Sequence, residues 1–410
     1  MAFSSRVRRI THSDRAQLDK AAQQSLLTAL TSRHTTILPN LKHIRATRLG
    51  KLANGLPFGS SPSPSLHHLH LDLEFKMSEE AASSMSSYLE HAAHSPLQTL
   101  TLRGLLTSRM NDALCRMNTL SSLTLRTGSS LLPTTINALS TFPALHTLEL
   151  HADHIEDIPL LDGSFPSLRS LRVRGQPEFI ETLLHSIPQH QLHKLHIDLI
   201  SPIVDSWDSI FHIIQTNAGH SLQDLFIEHH IESDLESEEP EVEDEDTDEV
   251  GGDSTAQTST SSNNNTSADR PRIAVTSLGH LPKLTKLVLD TSSAIAISTE
   301  NDADRVSRLW PNIVHLDLGI VHYPGQPAFS WSSLARLTSK LPSLEYLRLP
   351  IDTKAAFPQT TSQSSSKLQE LYVSPPIDSA EDVCGTNTFL NSTFPLLQDC
   401  CVDSWPNFHL

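Results

Sequence analysis

A short pattern of hydrophobic positions recurs along the whole chain. It is apolar-x-x-apolar-x-apolar, where x is mostly polar. Clear copies begin at Leu41, Leu66, Leu97, Leu120, Leu145, Leu168, Leu192, Leu222, Leu284, Ile313, Leu344 and Leu368. A weaker copy begins at Leu397, and the stretch from Val7 is interpreted as an opening copy. Because side chains alternate between the faces of a strand, the pattern predicts a short strand in each copy, with its fourth and sixth positions buried.

The spacing of the copies predicts how these strands assemble. From Leu41 onwards, successive copies begin 23 to 31 residues apart, except for one step of 62 residues. This period is typical of leucine-rich repeats, in which parallel strands stack and bury one continuous core. The predicted fold class is therefore α/β: a leucine-rich-repeat solenoid with a curved parallel sheet on the concave face and irregular helices on the convex face.

Hydrophobic residues between the strands recur with helical spacing and predict the convex helices. These segments are Ser78 to Ala93, Arg109 to Met117, Pro133 to Leu139, Phe179 to Ile187, Trp207 to Ile214 and Ser330 to Leu341. A further helix, from Asp14 to Leu30, is predicted to cap the first strand. Many copies follow a proline, as Leu145 follows Pro143, and a proline there ends the preceding helix and sets an extended backbone.

The 62-residue step contains a segment of different composition. Asp234 to Glu249 holds 11 acidic residues and no basic one, and a Ser/Thr/Asn/Gly-rich stretch follows it. Such a composition buries too little apolar surface to offset the entropy of ordering. We predict an N-terminal solenoid part with its capping helix at 1–232, a disordered insert at 233–272 and a C-terminal solenoid part at 273–410. An extra degenerate repeat near Ile273 to Val275 is the alternative.

The charge and composition of the chain argue against several classes of function. The 410-residue chain has a formal net charge of −17, of which the acidic segment supplies 11, so the rest is mildly acidic. General nucleic-acid binding needs a basic surface, and no run of 18 apolar residues is present to cross a membrane. The four cysteines form no C-x-x-C pair, and the N-terminus lacks a secretory signal. We expect no nucleic-acid or membrane partner, and a cytoplasmic or nuclear location.

The variant of the repeat resembles a particular group of proteins. The asparagine of regular leucine-rich repeats is replaced here, for example by Leu49 and Leu105. Phe/Leu/Trp-Pro-x-Leu phrases, such as those in Leu309 to Leu318 and Leu341 to Pro350, are similar to the repeat region of F-box proteins from basidiomycete fungi. The resemblance implies recognition of a substrate protein for an SCF-type ubiquitin ligase.

The same resemblance limits the partners that are expected. Residues 4–10 and 37–44 are similar to the stretch directly after an F-box, but no Leu-Pro-x-Glu opening precedes Arg6. Contact with the Skp adaptor and a cullin is therefore expected only if an F-box is supplied upstream.

Catalytic chemistry has no motif to support it. The chain contains no G-x-S-x-G, H-E-x-x-H or P-loop pattern, so we expect neither an enzyme nor a cofactor. His43, His68 and His70 should be neighbours on adjacent strands, but no carboxylate or cysteine completes a ligand set. We therefore predict no metal site, and interpret these histidines as ordinary solvent-facing residues.

The acidic segment leaves three alternatives open. It is a solvated spacer, a binding element for a basic partner, or a competitor that folds back on the chain's own basic residues.

The solvent-facing positions of the predicted sheet are the candidate binding site, because the third, fifth and seventh positions form rows across the concave face. Basic residues predominate in the first half and acidic residues in the second, which predicts a face positive at one end and negative towards the other. The predicted partner-binding residues are Arg45, His70, Arg103, Arg126, Arg172, Arg174, Phe226, Tyr346, Arg348 and Tyr372. Two functions remain open: the substrate-recognition part of an F-box ligase subunit, or a stand-alone scaffold or regulator outside the ubiquitin pathway.

Overall fold

The computed structural model describes residues 6–12, 38–49, 61–156, 158–200, 207–229, 272–291, 294–295, 300–319, 329–352, 355–358, 366–374 and 380–402. The predicted capping helix at Asp14 to Leu30 and the acidic segment lie outside these residues.

One parallel sheet of 14 strands runs through the described chain and confirms the predicted solenoid. Its strands are β1 (Arg9–His12), β2 (His43–Ala46), β3 (His68–Glu74), β4 (Thr99–Gly104), β5 (Ser122–Arg126), β6 (Thr147–Ala152), β7 (Ser170–Gly175), β8 (Lys194–Leu199), β9 (Asp224–His229), β11 (Lys286–Thr291), β13 (His315–Asp317), β14 (Tyr346–Pro350), β15 (Glu370–Ser374) and β16 (Asp399–Val402). Two short strands, β10 (Arg272–Ile273) and β12 (Ala294–Ile295), pair with each other outside it. Each of the 14 strands begins at the third position of one sequence copy, including the copies at Val7 and Leu397.

The alternation of buried and solvent-facing positions follows the sequence pattern. In β8, for example, Leu195 and Ile197 are at most 1% exposed, whereas the alternating residues His196 and Asp198 are half-buried. The first residue of each complete copy, such as Leu168 or Leu222, is buried as well. Three apolar side chains per repeat therefore enter one core, and each is covered only when the neighbouring repeats are in place.

A backbone contact repeats at all 13 junctions of the large sheet. The carbonyl oxygen of the second position in one copy accepts hydrogen bonds from the N–H groups of the second and third positions in the next copy. At the junction of β4 and β5, for example, the Gln98 carbonyl accepts from Ser121 at 2.8 Å and Ser122 at 3.0 Å. This contact fixes the register before each strand begins, and it uses only main-chain atoms.

Eight α-helices lie on the convex side of the described chain, and they have unequal lengths. They are α1 (Glu79–Ala92), α2 (Ser108–Leu114), α3 (Pro133–Leu139), α4 (Pro177–Ser186), α5 (Asp208–Ala218), α6 (Glu300–Leu309), α7 (Trp331–Lys340) and α8 (Ala380–Thr393). All six helices predicted from spacing in the described part are confirmed. The hydroxyls of Ser78, Thr107 and Ser330 accept from backbone N–H groups in the first turns of α1, α2 and α7, and prolines begin α3 and α4. None of the described helices is long and apolar enough to span a bilayer.

The short proline-containing segments that precede many strands also anchor those strands. The residue before the proline is buried in five of these segments: Phe142, Phe165, Leu281, Trp310 and Leu341 are each at most 2% exposed. The Trp310 side chain also donates its Nε1–H to the Gly279 carbonyl at 3.1 Å. Each of these side chains packs beneath the proline-containing segment and holds the convex loop against the core.

The sheet is continuous across the 62-residue step. Strand β9 pairs directly with β11 over six residues, from Asp224↔Lys286 to His229↔Thr291. The alternative of an extra repeat near Ile273 is wrong for the described residues, because β10 pairs with β12 and the chain then forms a 3₁₀ turn at Val275–Leu278. The segment between β9 and β10 therefore contributes no described strand to the large sheet.

Arg272, the last residue of the predicted insert at 233–272, lies in β10. We propose that the remaining residues, 233–271, form an insert that the fold does not need. Replacing them with a Gly/Ser linker of about ten residues should leave the midpoint of thermal unfolding nearly unchanged, since β9 and β11 keep their pairing. Circular dichroism of the two full chains measures this. A broad transition at much lower temperature would show that this segment carries part of the core.

Candidate binding face

The third, fifth and seventh positions form three rows across the concave face, as predicted. Register pairing carries the fifth-position row across all 14 strands, and its members are Thr11, Arg45, His70, Thr101, Thr124, Glu149, Arg172, His196, Phe226, Val288, Asp317, Arg348, Tyr372 and Cys401. All ten predicted contact residues lie on this face, and eight of them fall into three regions, while Arg103 and Arg348 lie outside these regions.

The central region is a network of ion pairs over β5 to β9. Arg126 Nη2 lies 2.7 Å from Glu149 Oε1, and Arg172 reaches both Glu149 and Glu228 at 4.0 Å. Further along, Arg174 lies 3.8 Å from Asp198. Long guanidinium side chains thus cross between strands and meet carboxylates of the same row, as Arg174 meets Asp198, or of another row, as Arg126 meets Glu149.

This network changes the predicted separation of charge. At its centre, the arginines of the first half contact the acids of the second half, as Arg174 contacts Asp198. Arg103 is also paired, with Asp72 at 3.2 Å, and Arg348 with Asp317 at 3.5 Å. The middle of the face is largely neutralised by these pairs.

Glu149 is the most strongly held acid of the network. Contact with the His151 imidazole, whose Nε2 is 3.6 Å away, and then with Arg126 and Arg172 lowers the pKa of its carboxyl to about 2. Its side chain is only 16% exposed, so these contacts are partly shielded from solvent. Glu149 is therefore ionised at neutral and mildly acidic pH.

The second region, which we name the aromatic row, runs from β8 to β15. Its rings and one lysine belong to His196, Phe226, Lys286, His315, Tyr346 and Tyr372. His196 stacks on Phe226 with ring centroids 5.4 Å apart, and the Lys286 ammonium lies 4.9 Å from the centre of the Phe226 ring. His315 stacks on Tyr346 at 3.9 Å with an interplanar angle of 7°.

The rings of this row are partly desolvated, which alters their titration. Burial and then the charge of Lys286 lower the pKa of His315 to about 4, so its ring is neutral at pH 7. Burial and the nearby Asp317 carboxylate raise the pKa of Tyr346 to about 12. The row thus presents uncharged, half-buried rings, with charged groups at its sides.

The aromatic row contains residues that the sequence analysis missed. His196, Lys286 and His315 lie in the same rows as Phe226 and Tyr346, but a search for arginines and large aromatics passed over them. The signal was present, because each occupies a third or fifth position of its copy. Their joining into one row depends on the β9–β11 pairing across the 62-residue step.

The third region, the N-terminal groove, is a hollow of about 320 Å³ over β1 to β4. Its polar lining consists of Arg9, Thr11, His43, Arg45, His68, His70, Thr99 and Thr101. His43 and His68 stack with centroids 4.3 Å apart and an interplanar angle of 3°, so their faces meet and their nitrogen atoms do not converge. Within the described residues, no group of three or more His, Cys, Asp or Glu side chains is arranged to hold a metal ion.

Two solved structures are similar to this chain over most of its length. An internalin (inlF) from Listeria monocytogenes str. 4b F2365 aligns with 91% of this chain and 82% of its own, at 13% identity and a TM-score of 0.41. TLR13, in a complex with ssRNA13, aligns with 89% of this chain at 14% identity and a TM-score of 0.36, and the alignment spans 54% of the TLR13 chain. No protein-family model matches the sequence, and no curated relative does.

Glu149→Gln tests the ion-pair network. A carboxyl whose pKa is lowered on folding stabilises the protein above its unfolded pKa, and the contribution disappears as the pH falls through the folded value. We expect a loss of about 1 kcal/mol in the free energy of unfolding at pH 7. The difference from the wild type should shrink as the pH falls from 4.5 to 2. Urea unfolding at several pH values measures it.

Glu156→Gln is the matched control, because Glu156 is exposed in the turn after β6. Equal losses for the two variants would contradict a special role for Glu149.

Proposed function

We propose that this solenoid binds a protein partner on its concave face, with the aromatic row as the main contact. The observation that carries the proposal is the row itself. Half-buried rings from β8, β9, β13, β14 and β15 lie side by side on a surface that no described helix covers. Rings held in this way bury large apolar area at little entropic cost, and such residues dominate the binding energy of protein interfaces.

The charged residues beside the row suit an orienting role. We propose Arg45, His70, Arg103, Arg126, Arg172, Arg174 and Arg348 as contacts together with Phe226, Tyr346 and Tyr372. Arginines that are already held by carboxylates lose less freedom when a partner docks, and charges of both signs favour one docking orientation. In this proposal the aromatic rings provide most of the affinity, and the charged side chains raise the rate of association.

A finer proposal concerns the pathway. The resemblance of the repeats to those of basidiomycete F-box proteins supports the substrate-recognition part of an SCF-type ubiquitin ligase subunit. In that role the concave face holds the target protein, and a Skp adaptor and cullin are reached through an F-box upstream of the repeats. The alternative is a stand-alone leucine-rich-repeat scaffold or regulator that holds a partner without any link to ubiquitin.

The aromatic row is tested by Tyr346→Ala and Phe226→Ala in the full chain. Each should weaken partner binding by about 2 kcal/mol or more, or about 30-fold, because each removes a desolvated ring at the interface. Quantitative mass spectrometry of proteins that copurify with each variant measures the loss. Leu161→Ala is the control, since Leu161 is 80% exposed and lies in the connection between β6 and β7. Partners retained equally by all variants would refute the aromatic row as the contact surface.

The pathway is tested by purifying the full-length protein from its own cells. Skp adaptor and cullin in the eluate, retained when Tyr346 is replaced by alanine, would support the ligase proposal. A stable partner without either component would favour the stand-alone scaffold.

A further inference from the structure

The N-terminal groove has a regular layout of polar groups. Register pairing places Arg9, His43, His68 and Thr99 in one row, and Thr11, Arg45, His70 and Thr101 in the next. Neighbouring strands lie about 4.8 Å apart, and alternate residues of a strand about 6.6 Å apart. The eight side chains therefore cover an area of about 14 by 7 Å. An extended peptide two to three residues long fits such an area.

All charged side chains that line the groove are basic or can become so. Arg9 and Arg45 are cationic at any physiological pH, and Arg45 is exposed and makes no ion pair with the described residues. The threonines add hydroxyl donors at both ends. No carboxylate lines the hollow in the described part of the chain, so its cations are not neutralised within it.

The charges around the groove add to its positive potential. Lys42 directly precedes His43 in the chain and His67 directly precedes His68 on the next strand, and the charge of each acts on His43. Arg126 lies near His70 but is paired with Glu149 at 2.7 Å. The acid that acts on His70 is Asp72, which is itself bound by Arg103 at 3.2 Å. The groove is thus a cationic hollow with one acid at its rim.

The three histidines respond to this environment. Burial, followed by the charges of neighbouring histidines and Arg9, lowers the pKa of His43 and His68. Burial and then the Arg45 charge lower the pKa of His70, although Asp72 opposes this effect. At neutral pH the rings are therefore mainly uncharged, and each remains able to gain a proton if an anion approaches.

We propose that the N-terminal groove binds a segment of a partner protein with consecutive Asp or Glu residues, and that binding tightens as the pH falls from neutral to mildly acidic. The proposal rests on the proposed function, because it assigns the chemistry of one part of the partner that the concave face holds. In an extended segment, the carboxylates of alternate residues are about as far apart as the two rows of the groove, about 6.6 Å. The positive charges of Arg9, Lys42 and Arg45 are spread over β1 and β2, which suits several carboxylates better than one compact anion.

The sign of the pH dependence follows from linkage. Carboxylates in the groove raise the pKa of His43, His68 and His70, so binding takes up protons. Affinity then increases as the pH falls through the range between the bound and free pKa values. The carboxylates of the segment stay ionised down to about pH 4.5. Each unit by which one histidine pKa rises on binding makes the fully protonated complex about tenfold tighter.

The test is a titration of the full chain with fluorescent hexaglutamate, followed by anisotropy at constant ionic strength. We expect the dissociation constant to fall about tenfold or more between pH 7.5 and pH 5.5. In Arg45→Gln and His70→Gln chains the affinity should drop, and His70→Gln should also reduce the pH dependence. Both residues face solvent on the sheet, and thermal unfolding checks that each variant keeps its fold.

Matched controls lie on the convex side. Arg116→Gln at the end of α2 and His185→Gln in the last turn of α4 remove the same charges from exposed positions. They should leave both the affinity and its pH dependence unchanged. Equal losses in groove and control variants would overturn the proposal, because they would indicate general charge attraction. Affinity that is independent of pH would overturn it as well.

Two further binding measurements identify the chemical group that the groove binds. A phosphoserine peptide that binds much more tightly than hexaglutamate would assign the groove to phosphate and overturn the carboxylate proposal. Replacing the acids of Asp234 to Glu249 by amides tests the chain's own acidic segment. A clear rise in hexaglutamate affinity in that variant would make this segment the occupant and overturn the assignment to a partner. Tyr346→Ala should leave hexaglutamate binding intact, which separates a failure of this proposal from a failure of the aromatic row.

Discussion

The structure depends on the burial of three apolar side chains per repeat by the repeats on either side. A strand such as β8 has no core of its own, because Leu195 and Ile197 are covered by the matching residues of β7 and β9. Burying a leucine or isoleucine contributes about 1.5–3 kcal/mol, so each junction is worth several such contributions before the entropy of ordering is subtracted. Everything on the concave face takes its position from this stacking.

The sequence predicts the strands closely because their signal is strictly periodic. Every strand of the large sheet begins at the position that its copy indicates, and the six predicted helices agree within about four residues. The helices at Glu300–Leu309 and Ala380–Thr393 were not predicted. Polar contacts between helices carry no such period. Asn111 in α2 is 2% exposed and bridges to α3 by accepting from the Thr135 hydroxyl at 2.7 Å. From the sequence, Asn111 is merely a polar interruption in a helix.

The binding face was predictable as a set of positions but not as a set of contacts. Assigning residues to rows places Arg126 and Glu149 on the same face, yet their ion pair crosses from a seventh position to a fifth position. Such diagonal contacts depend on side-chain length and rotamer, which the spacing of the copies does not contain. For the same reason, the predicted end-to-end polarity misses the neutralised centre.

The direct pairing of β9 with β11 also has a consequence for how the chain folds. In a one-dimensional array, each new repeat closes a loop onto the edge of its neighbour, and the entropic cost of closure grows only with the logarithm of loop length. Closing 62 residues in place of the usual 27 or so adds about 0.7 kcal/mol. One further buried leucine outweighs that difference. The long connection between β9 and β11 therefore costs too little to interrupt folding at this junction. Repeats on its two sides can fold together as a single cooperative unit.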